Sequence, residues 1–406
     1  MHGFYIRKSR KKQGLTKIVE GTINKQPIVL LDDIMNRSNS LLKQIEVLES
    51  MGERVYAVLT IIRYRDVSYY EQLHKRGIKI ISLFDLTNFP ELKDLAPLSE
   101  KEAREVPRPY VQKWYFKSEK YNPYLVVQKS APVLDESNLY FGSDSGIMWA
   151  LSQKTGDVAW NFTMKGVGSG RKRILSTPAV DEGRVYFGAY DGVVYALNKK
   201  DGRIVWTCED ADWVGSSPVI SEPLGLVYIG LEFGLFGKKG GIVALDKKTG
   251  REVWKDTFKG LTHCTPAYSE KHNIVVIGSN CGTVRCFDAK NGKVLWSITV
   301  PAEVRGGITV DEKRGYALFG CYDSNLYILS LKNGETIHTY KCFFPIYSTP
   351  LVEGGRVVFA SLDKIVYCLN LETLALEWKF ETQGRIFASP ILAEDKVMIG
   401  SNDGRL

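Results

Sequence analysis

One segment recurs along most of this chain and limits what it can fold into. Residues 185–206 read VYFGAYDGVVYALNKKDGRIVW, in which β-branched and aromatic residues alternate with small or polar ones, a pattern typical of strands. Asp191-Gly192 and Asp201-Gly202 interrupt the pattern twice, and Asp-Gly between alternating apolar runs is a strong hairpin signal. The segment therefore predicts three short antiparallel strands.

Further copies of this segment end in the same way, with a tryptophan in the last strand. The closing residues recur at intervals of 40–48 residues, and a histidine takes the tryptophan's place once. They are Trp114, Trp160, Trp206, Trp254, Trp296, His338 and Trp378. A small-residue–proline signature, as in Ser176-Thr177-Pro178, precedes most copies and predicts a fourth strand. Four strands per ~40–48 residues is the signature of a β-propeller.

The array extends over residues 128–406 and predicts an all-β propeller of about seven blades, the last one incomplete at Leu406. Eight blades would need one more repeat. Trp114 has the spacing of a closing tryptophan, so residues 110–116 are predicted to supply a strand that closes the ring by pairing with the end of the array. Residues 87–127, rich in proline and charge, are otherwise predicted to be a linker.

The repeat, with its YxG, DG, YAL, TG and terminal Trp elements, resembles the quinoprotein (PQQ-like) repeat family. That resemblance implies that the tryptophans dock between neighbouring blades and that His338 replaces one of them. The dehydrogenases of this family have a disulfide between two adjacent cysteines, and no two of the seven cysteines here are adjacent. Binding of pyrroloquinoline quinone (PQQ) and PQQ dehydrogenase activity are therefore not expected. An insertion, Glu232–Gly240, is the predicted contact for a protein partner on one propeller face. Its candidate contact residues are Phe233, Phe236, Lys238 and Lys239.

Residues 1–86 have a different organisation. Apolar runs at 28–31, 55–62 and 78–83 predict strands, and the amphipathic segments between them predict helices. This order implies a parallel sheet with helical crossovers, an α/β half-domain in front of the propeller. Asp32 and Asp33 end the first apolar run, and ligands of such sheets bind outside the carboxyl ends of the strands.

At these residues the sequence resembles a type I phosphoribosyltransferase, most closely of the orotate type. Four apolar residues, two acids, a small-residue loop and a helix form that family's phosphoribosyl-pyrophosphate (PRPP) motif, and residues 3–21 resemble its mobile loop. The resemblance implies that Asp32 and Asp33 hold the ribose hydroxyls. It implies that residues 36–40 cradle the 5′-phosphate and that Lys8 and Lys11 are the catalytic cations for pyrophosphate, across a homodimer interface. The phosphate-loop residues are Asn36, Arg37, Ser38, Asn39 and Ser40.

Three departures from the family pattern argue against catalysis by this chain. The phosphate loop lacks the family's glycines, Gln13 stands where the mobile loop has a histidine, and the family's first strands should precede Met1. A fragment of a longer reading frame is therefore expected, or a half-domain that pairs with another chain. Whether the chain is an enzyme stays open; Mg²⁺ is expected only if the transferase site is active.

The distribution of charge and the cysteine content limit which ligands and which cellular compartment are expected. Residues 1–85 hold 15 basic and 9 acidic residues and so carry most of the net charge of +8. The mobile-loop resemblance already explains this basic excess. Nucleic acid, which would also attract basic residues, is therefore not the expected partner. Cys281 and Cys286 lack a matching Cys/His set for zinc, and no metal ligands are assigned. No apolar run approaches the ~20 residues of a membrane span. A reducing, cytoplasmic protein is expected.

The sequence thus predicts a propeller-based binding protein with an attached phosphoribosyltransferase-like domain that binds PRPP or a phosphoribosyl nucleotide. The alternative is an Mg²⁺-dependent orotate phosphoribosyltransferase-like enzyme that needs upstream sequence. The acceptor base and the propeller's partner are not specified by the sequence.

Overall fold

The computed structural model describes residues 4–6, 19–21, 28–35, 39–63, 67–85, 113–114, 116, 130–164, 173–234, 239–393 and 395–404. The chain divides into two compact units, Met1–Pro109 and Tyr110–Leu406, which are treated separately below. Among the described residues, no helix has the length and apolar character needed to cross a membrane.

The first unit contains a parallel sheet, as the apolar runs predict. Its elements are β1 (Phe4–Ile6), β2 (Val19–Gly21), β3 (Ile28–Met35), α1 (Asn39–Ser50), β4 (Val55–Arg63), a 3₁₀ helix (Val67–Tyr70), α2 (Glu71–Lys75) and β5 (Lys79–Asp85). Strands β3, β4 and β5 pair in parallel in that order, and β1 pairs with β2 in antiparallel fashion. Gly52 ends α1 in the left-handed conformation (φ 80°), where the amide of Glu53 donates to the carbonyl of Leu48.

One face of this sheet is covered by α1. The side chains of α1 that face the sheet are at most 8% exposed and pack against apolar residues of β3 and β4 and against Ile78; they are Leu41, Leu42, Ile45 and Leu48. The residues that they pack against are Ile28, Leu30, Met35, Val55, Val58 and Ile78. The periodicity that predicts an amphipathic helix at 41–51 is therefore confirmed, and this small core lies between α1 and one side of the sheet.

The second unit is a propeller of six four-stranded antiparallel sheets and a two-stranded one, which confirms about seven blades with the last incomplete. Blade one is β6 (Val133–Leu134), β7 (Asn138–Gly142), β8 (Ile147–Ser152) and β9 (Val158–Thr163); blade two is β10 (Ala179–Val180), β11 (Arg184–Gly188), β12 (Val194–Asn198) and β13 (Ile204–Cys208); blade three is β14 (Val219–Ser221), β15 (Leu226–Phe233), β16 (Lys239–Asp246) and β17 (Glu252–Lys259).

The remaining blades repeat the same order. Blade four is β18 (Ala267–Ser269), β19 (Ile274–Gly278), β20 (Thr283–Asp288) and β21 (Val294–Thr299); blade five is β22 (Thr309–Asp311), β23 (Tyr316–Gly320), β24 (Asn325–Ser330) and β25 (Thr336–Lys341); blade six is β26 (Leu351–Glu353), β27 (Arg356–Ala360), β28 (Ile365–Asn370) and β29 (Leu376–Glu381); the seventh sheet is β30 (Ile391–Ala393) and β31 (Lys396–Met398).

Four of the closing tryptophans dock between neighbouring blades, namely Trp160, Trp206, Trp254 and Trp296. The indole N–H of Trp160 donates to the carbonyl of Lys199 in blade two at 2.8 Å, and that of Trp296 donates to Leu331 in blade five at 2.8 Å. Trp206 and Trp254 bond in the same way to Lys247 and Ala289. The third strand of each complete blade also has a register shift beside its tryptophan or histidine partner. A β-bulge at the same place in every blade is a structural device of the repeat.

The strand predicted at 110–116 is not present where the structure describes that segment. Lys113, Trp114 and Phe116 lie outside strands, so they do not pair with the end of the array; residues 405–406 lie outside the described residues. The side chain of Trp114 nevertheless docks on blade one, where its indole donates to the carbonyl of Gln153 at 2.7 Å. This contact matches that of Trp160 one repeat later. The tryptophan spacing predicted a docking residue but not its backbone conformation.

Candidate functional sites

The carboxyl ends of β3, β4 and β5 meet at one edge of the parallel sheet. Asp32 and Asp33 lie in β3, which continues to Met35, so the two acids belong to the strand and not to the loop after it. In the register of the sheet, Met35 neighbours Arg63 and Arg63 neighbours Asp85. The acid pair therefore lies two to three residues before the carboxyl end of β3, and parallel sheets bind ligands at that end.

The end of β3, just before the connection to α1, is held by a buried side chain. The phenol of Tyr70, which is 1% exposed, donates to the carbonyl of Met35 at 3.0 Å. Helix α1 begins at Asn39, so Asn39 and Ser40 form its first turn, while Asn36, Arg37 and Ser38 lie outside the described residues. The first turn of a helix that follows such a strand has free backbone N–H groups that can bind an anion.

In the sequence, the two predicted lysines fall between β1 and β2. Phe4 pairs with Gly21 and Ile6 with Val19, which places the segment 7–18 between β1 and β2. Lys8 and Lys11 are in that segment, outside the described residues. The structure therefore places the ends of the predicted mobile loop, and the lysines' own positions remain a prediction.

Arg63 is a residue of this edge that the sequence analysis missed. Its guanidinium contacts the carboxylate of Asp85 at 3.0 Å and donates to the hydroxyl of Ser82 at 3.3 Å. A charged residue at the end of the apolar run 55–62 was the available signal, because such a residue falls at the carboxyl end of a parallel strand. The pair fixes the spacing of β4 and β5 beside the Asp32–Asp33 edge.

In the propeller, the predicted partner insertion is an extended hairpin of β15 and β16. Its tip, residues 235–238, lies outside the described residues and includes Phe236 and Lys238; Lys239 is exposed and Phe233 is half-buried. Glu232, the first residue of the insertion, is buried, with only 2% of its surface exposed. Its backbone bridges to Trp213, and its side chain points into a polar cluster.

This cluster joins the end of strand β15 to loops of the neighbouring blades. A carboxylate oxygen of Glu232 accepts from the amide of Gly215 at 3.1 Å, and the other lies 3.5 Å from Nε2 of His263. That Nε2 is 3.4 Å from the phenol of Tyr190, and Nδ1 is 2.8 Å from the amide nitrogen of Asn280. A Cβ at Gly215 would lie within 3.1 Å of three of these side chains, so the cluster requires glycine there.

Burial keeps the phenol of Tyr190, a member of this cluster, in its neutral form. Burial raises the pKa of Tyr190 far above its usual range, and the neighbouring Glu232 carboxylate adds to the rise. Tyr190 is therefore a neutral hydrogen-bonding group at physiological pH. Together with the contacts above, this describes a cross-link between blades two, three and four.

A large groove crosses blades one to three on the side of the β6–β7 turn. It has a volume of about 1300 Å³, and its lining includes acidic and basic side chains of neighbouring blades. Lys199 contacts Asp135 at 3.3 Å, and Lys247 contacts Asp181 at 3.2 Å. Burial opposes ionisation of Asp181, but the amide of Gly183 and the other donors outweigh it and lower its pKa. These charges are engaged in holding blades together.

Alkaline pH is expected to destabilise the propeller. Burial raises the pKa of the Cys264 thiol from 9.0 to about 12, and that of Tyr140 from 10.0 to about 12. Because these groups ionise more readily when unfolded, their stabilisation is complete below pH ~9 and is lost as pH rises towards ~12, at about 1.4 kcal/mol per pH unit for a fully buried thiol. We expect the midpoint of guanidinium chloride unfolding, measured under reducing conditions, to change little up to pH ~9 and to fall from there to pH 11.

Two cysteine variants sharpen this measurement. Cys264→Ala removes one of the responsible thiols and is expected to reduce the slope of midpoint against pH. Cys281→Ala is the matched control, because hydrogen bonds from Ser279 and Thr283 outweigh burial and lower the pKa of that thiol. A midpoint that does not change over this range, or an equal reduction of slope in both variants, contradicts the prediction.

The seven cysteines are free thiols, and among the described residues no group of three His, Cys, Asp or Glu side chains is arranged to hold a metal ion.

The sequence model of the family described as outer membrane protein assembly factor BamB matches residues 112–260, 238–342 and 280–406. These ranges include more than half of the chain. The chain belongs to this family.

Solved structures of the same architecture agree with this assignment at the level of fold. The chain is similar to BamB from Moraxella catarrhalis, with a TM-score of 0.55, 18% identity, and coverage of 68% of this chain and 83% of that one. It is also similar to the quinohemoprotein alcohol dehydrogenase from Comamonas testosteroni, with a TM-score of 0.52, 14% identity, and coverage of 65% and 62%. At such identities the likeness shows the propeller fold alone.

The N-terminal region is similar to orotate phosphoribosyltransferases. The enzyme of Sulfurisphaera tokodaii is 34% identical over 87 residues, 21% of this chain and 44% of that protein. The enzyme of Listeria monocytogenes serotype 4b is 32% identical over 93 residues, 23% of this chain and 43% of that protein. The chain thus spans less than half the length of these relatives. The resemblance stated from the Asp32–Asp33 motif is confirmed for this short region.

Proposed function

We propose that the chain is a propeller-based binding protein whose N-terminal unit binds PRPP or a phosphoribosyl nucleotide. The observation that carries the proposal is the placement of Asp32 and Asp33 in the last part of β3, on a parallel sheet, just before the helix that begins at Asn39. Similarity to orotate phosphoribosyltransferases over the same region supports it.

The chemistry of the residues fits such a ligand. Two adjacent carboxylates accept hydrogen bonds from a pair of ribose hydroxyls. The loop 36–40 and the first turn of α1 offer backbone N–H groups and the positive end of the helix dipole to the 5′-phosphate. Lys8 and Lys11 supply cations for pyrophosphate, and Mg²⁺ would bind with the pyrophosphate oxygens, which suit this hard cation.

We propose binding without turnover by this chain, because Gln13 cannot act as a general acid and the loop 36–40 contains no glycine. An Mg²⁺-dependent orotate phosphoribosyltransferase-like enzyme is the second candidate, which the names of the N-terminal relatives favour. Orotate turnover by an upstream-extended chain, with PRPP and Mg²⁺, distinguishes the two.

The propeller is proposed to bind a protein, and the β15–β16 hairpin marks the face it uses. PQQ binding is not part of the proposal, because the chain has no pair of adjacent cysteines like that of the PQQ dehydrogenases. We further propose a cytoplasmic location, and no role for nucleic acid or a membrane.

PRPP titration by calorimetry, with Mg²⁺ present, tests the N-terminal proposal. We expect a binding isotherm for the wild-type chain and a loss of at least about tenfold in affinity for Asp32→Asn/Asp33→Asn, because both ribose acceptors lose their charge; tenfold corresponds to about 1.4 kcal/mol.

Asp157→Asn/Asp395→Asn is the matched control, as it removes the same charge from exposed propeller positions. It is expected to bind PRPP like the wild type. Absence of a heat signal for the wild-type chain, or equal affinity of the Asp32/Asp33 variant and the wild type, would refute PRPP binding at this site.

A further inference from the structure

The seventh sheet of the propeller, called blade seven below, has a free edge. Among the described residues its strand β31 has one partner, β30, and it spans the three residues Lys396–Met398. The second strands of the complete blades span five to eight residues, and each pairs on its other side with a third strand. An unpaired strand edge presents backbone N–H and C=O groups that can pair with another chain.

Two aromatic side chains of β29, the last strand of blade six, are more exposed than their equivalents. Trp378 is 39% exposed, whereas the four tryptophans that dock on a complete neighbouring blade are 7–8% exposed. Phe380 is 64% exposed, whereas its equivalent Tyr340 packs its ring 5.6 Å from that of Tyr367, in the third strand of the next blade. In the part of the chain that the structure describes, blade seven has no third strand to cover either side chain.

The place of a fourth strand beside blade one is already occupied by side chains. Trp114 docks on blade one as the closing tryptophans dock on later blades. The ring of Phe116 lies 5.1 Å from that of Trp149, and one repeat later the ring of Phe162 lies 5.1 Å from that of Tyr195. In a ring of blades, the strand that precedes blade one belongs to the last blade. One further strand is therefore sufficient to complete blade seven.

The repeat specifies a small residue in the middle of that strand. Wherever a blade closes with tryptophan, the residue of the third strand that pairs with it is alanine or cysteine, as Ala196 pairs with Trp206. Blade five, which closes with a histidine, has Ile328 at this position. Because the closing residue of blade seven is Trp114, its third strand needs a small residue there.

Trp378 sets a second requirement. In blade two, which receives Trp160, the indole donates to the carbonyl of Lys199, three residues after Ala196. A Cβ at Gly202, six residues after Ala196, would lie 2.6 Å from the same ring. The strand that completes blade seven is thus an extended segment with an apolar–small–apolar centre, followed by a polar turn that contains glycine.

We propose that the free edge of β31 binds an extended segment of a partner polypeptide, which becomes the third strand of blade seven. Backbone pairing along β31 supplies the affinity, and side chains at alternate positions supply the specificity. The bound segment covers Trp378 and Phe380. This site belongs to blade seven, whereas the β15–β16 hairpin belongs to blade three, so failure of either proposal leaves the other standing.

A fluorescently labelled peptide with the sequence of residues 194–203, VYALNKKDGR, probes this edge, because it contains the whole third-strand pattern. Fluorescence anisotropy is expected to show saturable binding to the whole chain. Hydrogen exchange of the β31 amides is expected to slow when the peptide binds, because N–H groups of this edge gain ladder partners. A peptide of the same composition in scrambled order is the control and should not bind.

Two variants of the protein make the test specific. Phe380→Ser is expected to weaken binding of the peptide by at least about tenfold, because an aromatic contact with the new strand is lost. Phe343→Ser is the matched control, since Phe343 is 86% exposed between β25 and β26, and it should bind the peptide as the wild type does. Both side chains are exposed, so both variants should keep the wild-type melting curve.

Three outcomes would overturn the proposal. The first is absence of saturable binding of the peptide to the wild-type chain. The second is binding that leaves the exchange of the β31 amides unchanged. The third is equal affinity of the peptide for the Phe380 and Phe343 variants.

Discussion

Trp254→Ala is expected to lower the free energy of unfolding of the propeller by about 3–5 kcal/mol, the usual cost of removing a buried tryptophan. Trp254 is 8% exposed, and its indole N–H donates to the carbonyl of Ala289 in the next blade at 2.9 Å. Its ring lies 5.6 Å from that of Phe287 and 5.8 Å from that of Tyr228. Truncation removes these contacts and leaves a cavity between blades three and four. Denaturant unfolding of the variant and the wild type measures the difference.

Trp378→Ala is the matched control, because it changes the same residue type at the same place in the repeat. Trp378 neighbours Cys368 in the sheet register as Trp254 neighbours Ala244, but it is 39% exposed. Less apolar area returns to water, so a loss of about 1–2 kcal/mol is expected. Equal losses in the two variants would mean that docking between blades does not stabilise the propeller.

The propeller was predictable because each repeat contains its own evidence. The Asp-Gly turns, the closing tryptophans and the Ser-Thr-Pro signature recur with one period, so an error in one copy is corrected by the others. Trp114 shows the limit of this argument. Its spacing predicted docking on blade one, but side-chain docking does not require a strand at 113–116, and a periodic signal alone cannot distinguish the two.

The cluster around Glu232 was not predictable from the hairpin that contains it. Contacts among Tyr190, Glu232 and His263 depend on two loops and the end of strand β15, which only the assembled propeller brings together. One signal was available in the repeats themselves. In blades three to six, the position just before the small-residue signature holds, in order, Gly215, His263, Arg305 and Tyr347. Among these four blades, only blade three has a residue without a side chain at this position.

For the N-terminal unit, the order of the strands and helices and the parallel pairing of the strands were predicted correctly, but the end of β3 was not. The acid pair was assigned from its motif, but β3 continues past it to Met35, because apolar Ile34 and Met35 extend the strand after the acids. The exposure of one face of the sheet, where Leu31 and Leu83 are 75% and 65% exposed, was missed for a physical reason. A continuous apolar run such as 55–62 predicts a strand buried on both sides, and nothing in it tells which side a single helix leaves uncovered.

Gly250→Ala tests the packing beneath a docked tryptophan. Gly250 has φ 73°, and a Cβ there would lie 2.6 Å from the ring of Trp206. The left-handed conformation costs roughly 1–2 kcal/mol with a side chain, and overpacking adds roughly 1–3 kcal/mol. We therefore expect a loss of about 3 kcal/mol or more in the free energy of unfolding, measured by denaturant titration.

Gly225→Ala separates the two contributions. Gly225 has φ 63°, and a Cβ there would meet nothing within 4 Å, so only the backbone cost of about 1–2 kcal/mol applies. A double-mutant cycle with Trp206→Leu completes the argument: if the steric contribution is real, replacing the ring should reduce the cost of Gly250→Ala towards that of Gly225→Ala. Equal costs for the two alanines in the wild-type background would show that the indole adjusts freely, and that the glycine under each tryptophan is required for its backbone conformation alone.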